Sequence, residues 1–300
     1  MVRDFLVNNF NIVVIICVIL GLIIPGLEHL PKSSAMFLIS TGIFFSCSNV
    51  SINELRHINI KSAIKFYVVR FLLFPVPIYY LALYLFPEYA LGVLLVLLAP
   101  VGVSATALSG MLKANTSLVL SATVITSMLV PLIMPLIILY LVGSEIEIDL
   151  LTLFIPLGLG IFVPIFMYFG IVRRFNRAKS WVKRESQLLS SLSVAVMLGI
   201  VTASQKEHIF SNVDGLFLVL AIGFVLFAFI YGIAYLFSFR MTFYERKTYM
   251  ICSAVNNTPL IAGISVMYFS AETTMLCVLI EVPWIATTIL LKRYVDKHDE

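Results

Sequence analysis

A few residues with chemical potential sit inside long apolar segments of this 300-residue chain. The run Asn256-Asn257-Thr258-Pro259 places two amides and a hydroxyl beside a proline. A second run, Ala99-Pro100-Val101-Gly102, interrupts another apolar segment just before Ser104, Ala105, Thr106, Ser109 and Gly110. Amide, hydroxyl and proline-freed carbonyl oxygens can coordinate a hard cation or hydrogen-bond a small solute. Arg70 and Glu281 are isolated charges in apolar surroundings, and such residues mark ion, substrate or proton sites. Conventional enzyme chemistry finds less material. The histidines (His29, His57, His208, His298) fall in loops or the tail, and the cysteines (Cys17, Cys47, Cys252, Cys277) lack metal or redox spacing. No HExxH or GxSxG motif occurs, so the chain is read as a non-enzyme that needs no cofactor.

The elements that must position these residues belong to a membrane. Hydrophobic residues make up 61% of the chain, charged residues 12%, and the mean hydropathy is +1.04. Soluble domains are about half apolar and a quarter charged. The apolar residues come in stretches of about 20, enough to cross the hydrocarbon core as a helix. Ten spans are expected, near 8–26, 34–50, 63–86, 89–112, 116–142, 149–172, 187–204, 213–238, 246–269 and 273–293. The first has no small-x-small cleavage site and ends in Pro25-Gly26, so it is expected as a retained helix.

Loop charge tests this map. Of the 20 lysines and arginines, all but Lys32, Arg70 and Lys206 fall on one side. That side holds Arg3, Arg56, Lys61, Lys65, Lys113, the 6–7 loop at 173–186, the 8–9 loop and the tail; the other has an acidic 5–6 loop with Glu145, Glu147 and Asp149. The asymmetry predicts both termini in the cytoplasm and location in the cytoplasmic membrane. The basic 6–7 loop is read as resting on anionic lipid headgroups, with Trp181 at the interface, and not as a nucleic-acid site. Five spans precede it and five follow, so the second half runs inverted relative to the first. Spans four and nine break at corresponding places, Pro100 and Asn256–Pro259. A single polar break could serve only to tie helices together. Matched breaks point to a binding site, because broken backbone at mid-membrane must be buried in protein or line a cavity.

These residues also carry a resemblance. Pro100-x-Gly102, then Lys113-x-Asn115 opening a Ser/Thr-rich helix that ends Pro131-x-x-x-Pro135, resembles the bile acid:sodium symporter family. Arg70-Phe71-Leu72-Leu73-Phe74-Pro75 is similar to its third-helix motif, and Asn256-Asn257 to the break in its ninth helix. Span number and symmetry extend the likeness over the whole chain, while the specific motifs occupy spans three to five and nine. The resemblance implies an all-α integral membrane protein of ten helices in two inverted five-helix repeats, with broken helices 4 and 9 crossing. It implies a panel domain (1–50 and 149–204; helices 1, 2, 6, 7) and a core domain (63–142 and 213–293; helices 3–5, 8–10), with substrate facing the crossing.

The family's sodium ligands carry over incompletely. Its third-helix glutamine falls on Arg70, and its fourth-helix serine–asparagine pair on Ala105 and Thr106. Its fifth-helix serine and threonine fall on Val119 and Thr123, its ninth-helix glutamate on Cys252, and the following glutamine on Asn256. Ala105, Val119 and Cys252 bring no side-chain oxygen, and Arg70 repels a cation. A carboxylate removed and an arginine added shift the local charge as a bound sodium would, which predicts that the Arg70 guanidinium stands in a sodium position. A partner is then expected, because an unpaired buried charge costs several kcal/mol. Glu281, the acid well inside a span, is the candidate for a pair or network with Arg70. Competing readings have Arg70 snorkelling to the headgroups and Glu281 protonated and hydrogen-bonded to a neighbouring helix, or carrying a proton.

The function expected is secondary transport of a small organic anion by alternating access, without conventional sodium coupling. Exchange or facilitated transport, proton coupling through Glu281, and sodium coupling through Thr106, Thr123, Asn256 and backbone carbonyls are the open mechanisms. A membrane ligand sensor or scaffold is the rival from another class, and an intramembrane enzyme lacks a visible nucleophile–base or metal constellation. Substrate identity and oligomeric state are not written in these residues.

Overall fold

The computed structural model describes residues 10–49, 64, 66–143 and 150–299. Arg3, Arg56, Lys61, Lys65, Glu145, Glu147 and Asp149, which shaped the charge map, lie outside these residues. Among the described residues every regular element is helical, and the one β-type pairing is an isolated antiparallel bridge between Val101 and Asn256.

The helices in chain order are α1 (Phe10–Ile23), α2 (Ser33–Ser46), then a π-helical turn (Val68–Leu73) leading into α3 (Pro75–Leu85). Next come α4 (Pro87–Leu98), α5 (Val103–Met111), α6 (Thr116–Val142), α7 (Leu150–Phe166), α8 (Asn176–Ser204) and α9 (Lys206–Ser211). The last are α10 (Val213–Ser238), α11 (Phe243–Ala254), α12 (Thr258–Tyr268), α13 (Ala271–Leu279) and α14 (Glu281–Asp299). Among the described residues six helical segments are long and apolar enough to cross a membrane: Val68–Leu85, Thr116–Val142, Phe154–Arg174, Asn176–Ser204, Val213–Ser238 and Ala271–His298. Ile12–Ile23, Pro87–Leu98 and Thr258–Tyr268 are shorter apolar helices. Outer faces of the helices leave Phe37, Tyr84, Tyr140 and Leu236 largely exposed, a surface that lipid accepts and water does not. Pro131 and Pro135 lie inside α6, and Pro156 and Pro164 inside α7.

Two compact units result. The first comprises Met1–Ser51, Pro131–Ser211 and Pro259–Val278. In it α8 packs along α1 and α2, and α7 against α2. Gly21 and Gly199 bring the α1 and α8 backbones into contact, so a methyl group on Gly199 would stand 2.6 Å from the Cys17 carbonyl oxygen. Small residues are the usual means of such approach between membrane helices. The Ser40 hydroxyl donates to the Gly160 carbonyl at 2.9 Å, tying α2 to α7.

The second unit comprises Ile52–Val130, Asn212–Thr258 and Leu279–Glu300. Here α3 packs on α4, α10 on α11 and α14, and α11 on α5 and α14. Thr242 and Glu245 form a capping box that starts α11.

Two boundaries differ from the sequence expectation. The segment read as a basic loop at 173–186 is mostly helix, since α8 begins at Asn176. Asn-Arg-Ala-Lys-Ser-Trp-Val-Lys-Arg-Glu holds no Gly or Pro and several strong helix formers, so charge alone does not make it a loop. The tenth apolar segment is interrupted at Ile280, between α13 and α14. Pro283, third residue of α14, lacks the N–H that would continue the preceding helix.

Candidate functional site

The second unit brings the two helix breaks side by side. Chain leaves α4 at Ala99 and enters α5 after Gly102; it leaves α11 at Val255 and enters α12 after Asn257. The extended backbones between them satisfy one another: the Gly102 N–H donates to the Val255 carbonyl at 2.8 Å, and the Asn257 N–H to the Pro100 carbonyl at 2.7 Å. Lipid offers no such partners, so the pairing is what allows both helices to stop here. Gly102 is required by contact, because a Cβ there would sit 3.0 Å from the Asn256 carbonyl oxygen.

Helix α6 supports the crossing with hydroxyls. Thr126 Oγ1 accepts from the Val101 N–H at 3.0 Å and donates to the Ala122 carbonyl. Thr123 Oγ1 donates to the Val119 carbonyl at 2.9 Å and reaches the Gly102 carbonyl at 3.4 Å. Asn115 caps α6 through Oδ1 on the Leu118 N–H, and its own N–H donates to Thr248 Oγ1 of α11.

Arg70 enters this crossing from the π-helical turn and is 2% exposed. Its Nε and Nη2 both donate to the Ser253 carbonyl, at 3.1 and 2.9 Å, and Nη1 donates to the Leu97 carbonyl at 2.9 Å. With its amide oxygen toward the guanidinium, Asn256 accepts from Nη2 at 3.1 Å and donates to the Ser253 carbonyl at 3.2 Å. Leu97 lies in the last turn of α4 and Ser253 in the last turn of α11. Last-turn carbonyls have no intrahelical partner and carry the negative end of the helix dipole. One cation thus closes two half-helices at once, and snorkelling to headgroups is ruled out by burial.

The direct Arg70–Glu281 ion pair expected from the sequence is not formed; no salt bridge among the described residues joins them. Glu281, 7% exposed at the start of α14, accepts from the Thr258 hydroxyl at 2.6 Å. Backbone carbonyls displace it as the partner of Arg70, because broken helices supply acceptors that no side-chain inventory contains. Both residues nonetheless belong to the ninth-segment break, Arg70 through Ser253 and Asn256, Glu281 through Thr258.

The remaining expected positions divide clearly. Ala105, Val119 and Cys252 are fully buried and offer no side-chain oxygen. Thr106 Oγ1 is buried with no protein partner, whereas Thr123 is satisfied by carbonyls. Pro100 sits in the first break, and Pro259 is the second residue of α12. A guanidinium thus stands at one of the positions to which the resemblance assigns a sodium ligand, and side chains without oxygen stand at three others. Sequence reasoning missed Leu97 and Ser253, whose contribution is a main-chain oxygen and leaves no trace in residue type. It also missed the break at Ile280, which Pro283 could have signalled.

Comparison with known proteins is consistent across nearly the full length. A family model described as the SBF-like CPA transporter family matches residues 8–285. The chain is also similar to an uncharacterized sodium-dependent transporter, YocS, of Bacillus subtilis (strain 168). The two are 22% identical over 282 residues, which is 90% of this chain and 85% of the relative.

Proposed function

This chain belongs to the SBF-like CPA transporter family, and on that premise we propose that it moves a small organic anion across the cytoplasmic membrane by alternating access, with Arg70 as a fixed cation in place of sodium. The observation that carries this reading is the guanidinium itself, buried and bound to Leu97, Ser253 and Asn256 at the ends of two half-helices. A bound ion that closes such a crossing must come and go with the cycle; a covalently attached one cannot. Coupling to sodium is thereby removed from this position, and a permanent positive charge favours an anionic solute.

The ten-span, twice-five inverted arrangement with panel and core domains is part of the proposal. It is supported by the charge asymmetry and by the matched interruptions at Pro100 and Asn256–Pro259. So are cytoplasmic termini.

A second reading is sodium-coupled symport through Thr106, Thr123, Asn256 and carbonyl oxygens. The name of the Bacillus relative and the unpartnered Thr106 hydroxyl favour it.

A thermal-unfolding screen of purified protein against small organic anions, run in sodium and in choline buffers, separates them. Ligand that binds the native state raises its stability according to concentration over affinity. Equal shifts in both buffers, lost in Arg70→Gln, are expected. Shifts confined to sodium would establish the symport reading instead. No shift with any anion would favour a sensor or scaffold.

A further inference from the structure

Glu281 heads a line of buried polar groups that the proposed anion site does not use. Along α14 the residues Glu281, Trp284, Thr287 and Thr288 recur at helical spacing and share one face. Trp284 Nε1 and Thr288 Oγ1 are buried without a protein hydrogen-bond partner. From α10, the Tyr231 hydroxyl, also buried and unpartnered, faces the Thr287 and Thr288 hydroxyls without well-formed bonds to either. Thr287 is turned onto its own helix, donating to the Pro283 carbonyl at 2.7 Å. Two of these atoms, the Tyr231 and Thr288 hydroxyls, face each other between α10 and α14, and buried polar groups in native proteins find protein or ordered water. A seam with several donors and acceptors in reach is where water is retained.

The seam has a direction. At the level of Glu281 the two helices are in close contact, because a Cβ on Gly223 of α10 would meet Pro283 Cγ at 2.6 Å and Ile280 Cδ1 at 3.0 Å. Below that contact the polar groups continue for about 10 Å, from Glu281 to Thr288 at 1.5 Å per residue. The helix then ends in Lys292, Arg293 and Lys297, interleaved with Asp296, His298 and Asp299. No ion pair among the described residues fixes the charge of Glu281. Thr258 is its hydrogen-bond partner. None of the charged residues on the helices packed against α14 (Asp214 on α10; Glu245, Arg246 and Lys247 on α11) forms a salt bridge with it among the described residues, and Arg70 is committed to carbonyls.

We propose that Glu281 takes up and releases a proton during the working cycle, and that water in the α10–α14 seam conducts this proton to and from the basic end of α14. In the uptake step a hydronium in the seam gives its proton to Glu281 Oε2, forming the O–H bond and leaving water. Oε1 keeps the bond from Thr258. Release is the reverse. This extends the proposed anion transport by naming its coupling ion.

The test needs no substrate, so its failure is distinct from failure of the anion reading. Infrared difference spectra of the protein in liposomes are recorded while pH is stepped between about 5 and 9, a range that brackets buried carboxyls. A protonated-carboxyl stretching band that titrates in this range and is absent in Glu281→Gln is expected. In Thr258→Val the same band titrates at higher pH, because the hydroxyl that favours the charged form is gone. In Tyr231→Phe/Thr288→Val the midpoint is kept, while deuterium exchange of the band slows several-fold. No titrating band, or one that survives Glu281→Gln and is unmoved by Thr258→Val, would overturn the proton site. Unchanged exchange in the double variant would overturn the path.

Discussion

A buried guanidinium holds its charge only where acceptors surround it, and Arg70 finds them in the Leu97 and Ser253 carbonyls and the Asn256 amide. Removing it leaves the Leu97 carbonyl and the Asn256 amide oxygen unpaired in a dry site, each costing about 1–3 kcal/mol, and the Ser253 carbonyl with the Asn256 N–H alone. Arg70→Met is therefore expected to lower the unfolding midpoint by many degrees. Arg70→Lys should recover only part of the loss, since a point charge cannot reproduce the guanidinium fork that spans two helix ends. If lysine and methionine behave alike, charge is not what the site requires. A gain-of-function test is sharper. Arg70→Gln with Cys252→Glu restores the glutamine and carboxylate implied by the bile acid:sodium symporter resemblance, and sodium should then stabilise the double variant but neither single one. Sodium stabilisation of the native protein would show that its ion sites are intact.

The crossing of breaks depends on how closely two backbones approach. Gly102→Ala pushes a methyl group against the Asn256 carbonyl, 3.0 Å away, and overpacking of this kind costs about 1–3 kcal/mol. Gly110, in the short helix α5 that Gly102 precedes, faces open space, with nothing within 4 Å of where a Cβ would stand. Gly110→Ala should therefore stabilise by about 0.5–1 kcal/mol. Opposite shifts in unfolding midpoint check both; equal shifts would mean the crossing yields easily. These elements also show what a sequence exposes. The interruptions at Pro100 and Asn256–Pro259 are visible because proline and paired amides are rare in apolar helices. The interruption at Ile280 is marked only by Pro283, three residues late, within a segment that otherwise reads as continuous. The helical start of α8 is hidden because basic residues signal a membrane face and not a conformation. Two of the partners of Arg70 are main-chain oxygens, so no residue type could announce them, and Glu281 forms no direct ion pair with it.

At the scale of the whole molecule, the charge asymmetry and the helices make a joint prediction about orientation. Helix α8 is 29 residues long, about 44 Å, which exceeds the roughly 30 Å hydrocarbon core. Its first turns must therefore project beyond the acyl region, and they carry Arg177, Lys179, Lys183 and Arg184 around an exposed Trp181. Asn176, Arg177, Ser180, Trp181 and Arg184 line an open groove of about 480 Å³ at this end of the helix. Lys32 lies at the opposite end of the map, just before α2, and is exposed. Of the natural cysteines, Cys47, Cys252 and Cys277 are buried and Cys17 is half-buried, so background labelling is low. In intact cells a membrane-impermeant maleimide should label Lys32→Cys at once and Lys179→Cys only after permeabilisation. Reversed labelling would invert the orientation, and labelling of both from outside would remove the odd number of crossings between them on which the inverted-repeat proposal depends.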